Sequence, residues 1–153
     1  MGDYIFVLGG DGMDNYFNSF DNTIVYASSQ NGGLRRSSNG GSNFGGKLLP
    51  NADSATFYPW ITPIVQHPPK LFPPANLDVI YAYSLNGILK STNSGLSWNN
   101  MGPAGIGTAS GSRTPSMVIG SHDGGVSANL YISNGNSFWV HTNPLQGTSA
   151  GWV

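Results

Sequence analysis

The chain contains no cysteine and no glutamate, and only 8% of its 153 residues are charged. The first absence excludes a disulfide framework, a thiolate nucleophile and any Cys-ligated zinc or iron–sulfur centre. The second leaves aspartate as the only acid. Surface helices normally pair glutamate with lysine at i,i+4 spacing, so this scarcity argues against an α-rich fold. No apolar run approaches the roughly 20 residues that a bilayer-spanning helix needs. Basic residues are equally sparse. Arg35-Arg36 is the single basic doublet, and a net charge of −1 gives no pull toward nucleic acid or an anionic membrane. The amino terminus lacks a positive segment ahead of Ile5-Phe6-Val7-Leu8, and this apolar stretch is too short for a signal peptide. The chain reads as though it begins in the middle of something longer.

What is abundant is turn chemistry. Twenty-two glycines and ten prolines, with many asparagines and serines, separate short apolar runs. That pattern favours many short strands over long helices and predicts an all-β fold without any helix longer than two turns.

An internal repeat organises the chain. Ile24-Val25-Tyr26-Ala27 aligns with Val79-Ile80-Tyr81-Ala82, and Asn31-Gly32-Gly33-Leu34-Arg35 with Asn86-Gly87-Ile88-Leu89-Lys90, at an offset of 55 (81 − 26). Ser37-Ser38-Asn39-Gly40-Gly41-Ser42-Asn43-Phe44 then aligns with Ser91-Thr92-Asn93-Ser94-Gly95-Leu96-Ser97-Trp98 at an offset of 54 (91 − 37). The one-residue difference predicts a β-bulge near Arg36. In the clearer copy, residues 60–66 read as an inner strand, 78–83 and 87–91 as a hairpin turning at Leu85-Asn86-Gly87, and 96–100 as an outer strand. A fainter third copy starts at Met117-Val118-Ile119, turns at residues 122–125 and continues through Leu130-Tyr131-Ile132. Gly151-Trp152-Val153 echoes Pro59-Trp60-Ile61, as if a fourth copy were starting.

The two aligned octapeptides resemble the Asp-box motif, S-x-D-x-G-x-T-W, with Asn39 and Asn93 at the Asp position and Ser97 at the Thr position. Phe44 and Trp98 close the two copies. Here Ser37 and Ser91 open the turn, the asparagine accepts backbone N–H bonds, and Gly41 and Gly95 take a backbone conformation closed to other residues. The closing aromatic packs between sheets. This role is structural, and such turns normally lie on the face opposite an active site.

The cadence Gly9-Gly10-Asp11-Gly12, then residues 24–32, then Trp60-Ile61-Thr62-Pro63-Ile64-Val65, is similar to sialidase-type BNR-repeat β-propellers. The likeness covers about residues 9–100 and is greatest to propellers in large secreted proteins of Bacteroidota-like bacteria, which often carry a type IX sorting domain. It implies β-propeller blades, each a four-stranded antiparallel sheet with an Asp-box hairpin, over about 9–50, 58–101 and 112–143, with a further blade starting at 151–153. Three blades do not close a ring. The implied partners are the rest of its own polypeptide or other chains, and the implied location is secreted or cell surface.

Function on such a scaffold belongs to the loops that join blades and to the turns between second and third strands. Tyr58 and Trp60, beside Asn31, Asn86 and His122, offer aromatic faces and amides to a glycan or a protein; Trp60 also fits a core aromatic lining a channel. A non-catalytic binding or scaffold role follows, with no cofactor and no metal. The alternative is part of a polysaccharide-active propeller glycoside hydrolase, for which Asp11 and Asp123 are the candidate carboxylates. Sialidase chemistry is excluded, since it needs a glutamate and an arginine triad, and two of the three arginines here are adjacent.

Overall fold

Runs of β-branched and aromatic residues between glycine- and asparagine-rich turns form short strands in the computed structural model, which describes residues 6–68, 78–103, 106, 115–121, 128–135, 137–145 and 151–153. No helix longer than a turn occurs among these residues. The strands are β1 (Asn15–Phe17), β2 (Val25–Ala27), β3 (Arg35–Ser37), β4 (Ile64–Gln66), β5 (Ile80–Ser84), β6 (Gly87–Ser91), β7 (Asn99–Asn100), β8 (Ser116–Ser121), β9 (Ala128–Asn134) and β10 (Ser137–Thr142). They make three antiparallel sheets in chain order: β1-β2-β3, β4-β5-β6-β7 and β8-β9-β10. Every sheet is a simple meander. Isolated bridges extend the first and third, Lys47 pairing with Arg35 and Trp152 with His141.

The sheets stack face to face with the second in the middle, and strand alternation shows how. On β5, Ile80 and Ala82 join a core with Tyr26, Leu34, Leu49 and Tyr58 of the first unit. Tyr81 and Tyr83 point the other way, into a core with Met117, Leu130 and Ile132 of the third. Successive side chains on a strand point to opposite faces, so a sheet covered on both sides reads as a continuous apolar run. All five residues of β5 are buried for this reason. One buried polar tie crosses the first interface: the Asp78 carboxylate accepts from the Tyr26 hydroxyl and from Gln66 Nε2 at 2.9 Å.

Several details differ from the sequence reading. Among the described residues only the middle sheet has the four strands expected of every blade; its first strand covers Ile64–Gln66 of the expected 60–66, and its last covers Asn99–Asn100 of the expected 96–100. The extra residue of the first copy lies in the β2–β3 loop, not near Arg36. Ala27 pairs with Arg35 across eight positions (35 − 27), whereas Ala82 pairs with Leu89 across seven (89 − 82). The loop accommodates it at Asn31 and Gly32, with φ of 51° and 78°. Next, Trp152-Val153 does not begin another sheet. Val153 exchanges two 2.9 Å backbone bonds with Val140, so these residues form the outer edge of the third sheet. Finally, β8 is the first strand of its sheet and β9 the second, so the second-to-third turn is at 134–137 and not at 122–125.

Candidate functional site

Both octapeptides fold into the same hydrogen-bonded turn. Ser91 Oγ accepts from the Gly95 N–H at 2.8 Å and donates to Asn93 Oδ1, which in turn accepts from the Ser97 N–H at 2.9 Å. Ser37 Oγ repeats this with Gly41 N–H at 2.9 Å, and Asn39 Oδ1 with Asn43 N–H at 3.1 Å. The offset of 54 is thus kept atom for atom. Gly95 has φ +81° and sits against Leu48 of the first unit, where a Cβ would come within 2.7 Å of the Leu48 side chain. Trp98 is partly buried on the core between the first two sheets, its indole N–H directed at Leu48 O and Gly95 O. Phe44 is also partly buried, but belongs to neither core cluster.

A stability difference follows. Ser91→Ala leaves the buried Gly95 N–H without its acceptor, which costs about 1–3 kcal/mol. Asn93→Asp keeps the acceptor of the Ser97 N–H and is expected to change stability by under about 1 kcal/mol. Urea denaturation of the two variants measures both. Equal losses would mean that the side-chain amide, and not the serine-centred network, holds the turn.

The loops at the hairpin end of the sheets gather three of the sequence-derived candidates. The Asn31 backbone N–H donates to Trp60 O at 3.1 Å, its Nδ2 donates to Tyr58 O at 3.2 Å, and its carbonyl accepts from the Asp53 N–H at 2.8 Å. Tyr58 is buried, lies over Gly32 and donates its hydroxyl to Pro50 O at 2.6 Å. Burial pushes its phenol up to about 12. Asn31 and Tyr58 therefore brace the connection between the first two sheets. Trp60, on that braced connection, is 56% exposed, with Ile61 exposed beside it. This placement is the opposite of a core aromatic. Asp11 reaches the same hairpin through its N–H, which donates to Gln30 Oε1 at 3.2 Å. Asn86 is exposed on the neighbouring β5–β6 turn. His122 and Asp123 lie outside the described residues, between the first and second strands of the third sheet.

A second feature escaped the sequence reading. The first strands of the three sheets converge on an open cavity of about 450 Å³, lined by Asp14, Asn15 and Tyr16, by Ile64, Val65 and Gln66, and by Val118 and Ile119. Tyr16 stacks on Tyr26 at 4.8 Å, and its buried hydroxyl has no partner among the described residues. Nothing in the local sequence marks these positions, because they meet only through the stacking of separate sheets. Among the described residues no group of three or more His or Asp side chains gathers as a metal site, and no helix is long and apolar enough to cross a membrane.

Comparison with protein-family models gives no match for this chain, and comparison with curated proteins gives no significant one.

Proposed function

We propose that the chain is part of an Asp-box β-propeller acting as a non-catalytic binding or scaffold module of a secreted or cell-surface bacterial protein, with glycan as its ligand. Support for the propeller comes from three meanders stacked in chain order, first strands converging on one cavity, and two octapeptide turns that share one hydrogen-bond pattern. The remainder of the ring comes from elsewhere in the polypeptide or from other chains.

The observation that carries the binding role is Trp60. A large aromatic held 56% exposed costs solvation, and its backbone is held by buried Asn31, which donates to Trp60 O and to the O of buried Tyr58. An exposed indole on a braced loop, with exposed Ile61 beside it, suits the apolar face of a sugar ring. Titration of a glycan panel by calorimetry tests this. Trp60→Ala is expected to weaken binding by at least roughly 30-fold, as for an interface anchor, while shifting stability by no more than about 0.5 kcal/mol. Undiminished binding in that variant would remove Trp60 from the site. Release of reducing ends from a polysaccharide, lost in Asp11→Ala, would replace the binding role with hydrolysis.

A further inference from the structure

The repeat makes equivalent positions on the three sheets comparable, and one face stands out. Cross-strand pairing matches Tyr16–Tyr26 in the first sheet with Val65–Tyr81 in the second and Val118–Tyr131 in the third. In the first two sheets this face meets the next sheet along the chain. Tyr16 and Tyr26 pack on Ile80 and Ala82, while Val65 and Tyr81 pack on Leu130 and Ile132. In the third sheet no other sheet among the described residues packs on the same face. Val118 is 57% and Phe138 64% exposed, and Tyr131 stacks on Phe138 at 6.1 Å. Val140 occupies the position held by Arg36 and Lys90 in the other sheets, so no charged residue interrupts the face. None of the strands β8, β9 and β10 contains Asp, Glu, Lys or Arg. Bare apolar sheet faces of this kind normally mark an interaction surface.

The two interfaces inside the chain define what covers such a face. In each, the incoming sheet brings a β-branched or aliphatic pair from its second strand, and a tryptophan from its outer edge caps the contact. The pairs are Ile80 with Ala82 and Leu130 with Ile132; the caps are Trp98, donating to Leu48 O, and Trp152, donating to Met101 O, both at 2.9 Å. The first sheet has the corresponding face: Val25 and Ala27 on its second strand and Phe44 as its closing aromatic, with Phe17 62% exposed beside Val25. No sheet among the described residues covers it.

We infer that this chain associates head to tail, the face of the third sheet that carries exposed Val118 and Phe138 and half-buried Tyr131 in one copy receiving, in a second copy, the outward face of the first sheet, where Phe17 is exposed, Ala27 half-buried and Val25 buried beneath them. The contact continues the stacking already present twice within the chain. A heterologous interface of this kind extends to a ring or a filament, according to whether its rotation closes. The inference rests on the propeller reading for the sense of stacking only. It is independent of Trp60, so loss of association and loss of glycan binding are separable failures.

Sedimentation velocity of the 153-residue chain over a range of concentrations tests it. The expected result is a concentration-dependent species of at least twice the 16.1 kDa chain mass. Phe138→Asp and Phe17→Asp each change an exposed side chain and are each expected to sediment as monomers with unaltered melting. Mixed in equal amounts they are expected to form a 1:1 dimer and nothing larger, because each retains the face that the other has lost. A wild-type monomer at every concentration would overturn the inference. Self-association of Phe17→Asp alone would also overturn it, since that requires the third sheet to pair with itself. So would a mixture that stays monomeric. Should either aspartate variant fail to fold, Phe138→Ser and Phe17→Ser carry the same mixing test.

Discussion

Raising the pH above 10 is expected to unfold the protein cooperatively before pH 12. Five tyrosines, Tyr16, Tyr26, Tyr58, Tyr81 and Tyr83, have phenol groups held above their ordinary value of 10.0, in each case first by burial. For Tyr26 the hydrogen bond to Asp78 adds to the effect, and for Tyr58 and Tyr83 the value is pushed up to about 12. Below pH 10 the folded and unfolded chains both keep these protons, and stability is at its full value. Above pH 10 the unfolded chain releases them while the folded chain holds them, so stability falls with each further rise until the folded values are reached. Each group contributes a slope of at most about 1.4 kcal/mol per pH unit, and five together at most about 7. A domain of ordinary stability, on the order of 5–15 kcal/mol, is exhausted within one to two units.

Tyrosinate absorbance followed against pH, alongside near-UV circular dichroism, measures this directly. The two signals are expected to change together in one steep step. Gradual ionisation near the ordinary value with the fold intact would show the phenols to be solvated. Tyr81→Phe gives an internal control. The Tyr81 hydroxyl is buried with no hydrogen-bond partner among the described residues, so its removal is expected to leave neutral-pH stability unchanged or to raise it by about 1 kcal/mol. It is also expected to reduce the alkaline slope by about one fifth.

These tyrosines also show how far the sequence could be read. Tyr26 and Tyr81 were visible as repeat positions because both stand in alternating runs beside an asparagine–glycine turn and an intact octapeptide. Tyr131 is their equivalent by pairing register, but the third copy had lost its other landmarks. His141 pairs within the third sheet where Ser91 stands in the second, and Trp152 lies 11 residues beyond it (152 − 141), against 7 (98 − 91) in the intact motif. Extra residues in the turn destroy the spacing on which recognition of the motif depends. They leave the edge strand free to dock Trp152 edge-on against His141 at 4.8 Å. The sequence therefore placed Trp152 with Trp60 on shared neighbours, when its bonding partners place it with Trp98. The same shift of one strand moved the turn at 122–125 from the second-to-third position to the first-to-second. The candidate site was legible where a loop carried its own signal, as at Trp60. It was illegible at the cavity, where Asp14, Tyr16, Gln66 and Val118 approach one another only after three sheets have stacked.

If the closing aromatic of each turn braces one sheet against the sheet before it, the three aromatics differ in importance in a defined order. Trp98→Ala removes an indole packed on the core between the first two sheets and leaves the Leu48 carbonyl without its 2.9 Å donor. Trp152→Ala does the same between the second and third sheets, at the Met101 carbonyl. Loss of a large buried aromatic costs about 3–5 kcal/mol, and since both indoles are only partly buried, about 3 kcal/mol is expected for each. Phe44→Ala is expected to cost under about 1 kcal/mol in the isolated chain, because Phe44 joins neither core cluster and has no preceding sheet among the described residues to brace. Trp98→Phe and Trp152→Phe restore most of the packing without the N–H donor, and about 1 kcal/mol of loss is expected to remain. Urea denaturation of the five variants, with the slope of the transition held constant, measures the order. A loss at Phe44 equal to that at Trp98 would mean that the aromatic stabilises its own hairpin. The order Trp98 ≈ Trp152 > Phe44 is what bracing across sheets requires. Where the head-to-tail contact has formed, Phe44 gains a preceding sheet. Its cost is then expected to rise toward that of Trp98 as protein concentration increases, while the costs at Trp98 and Trp152 stay fixed.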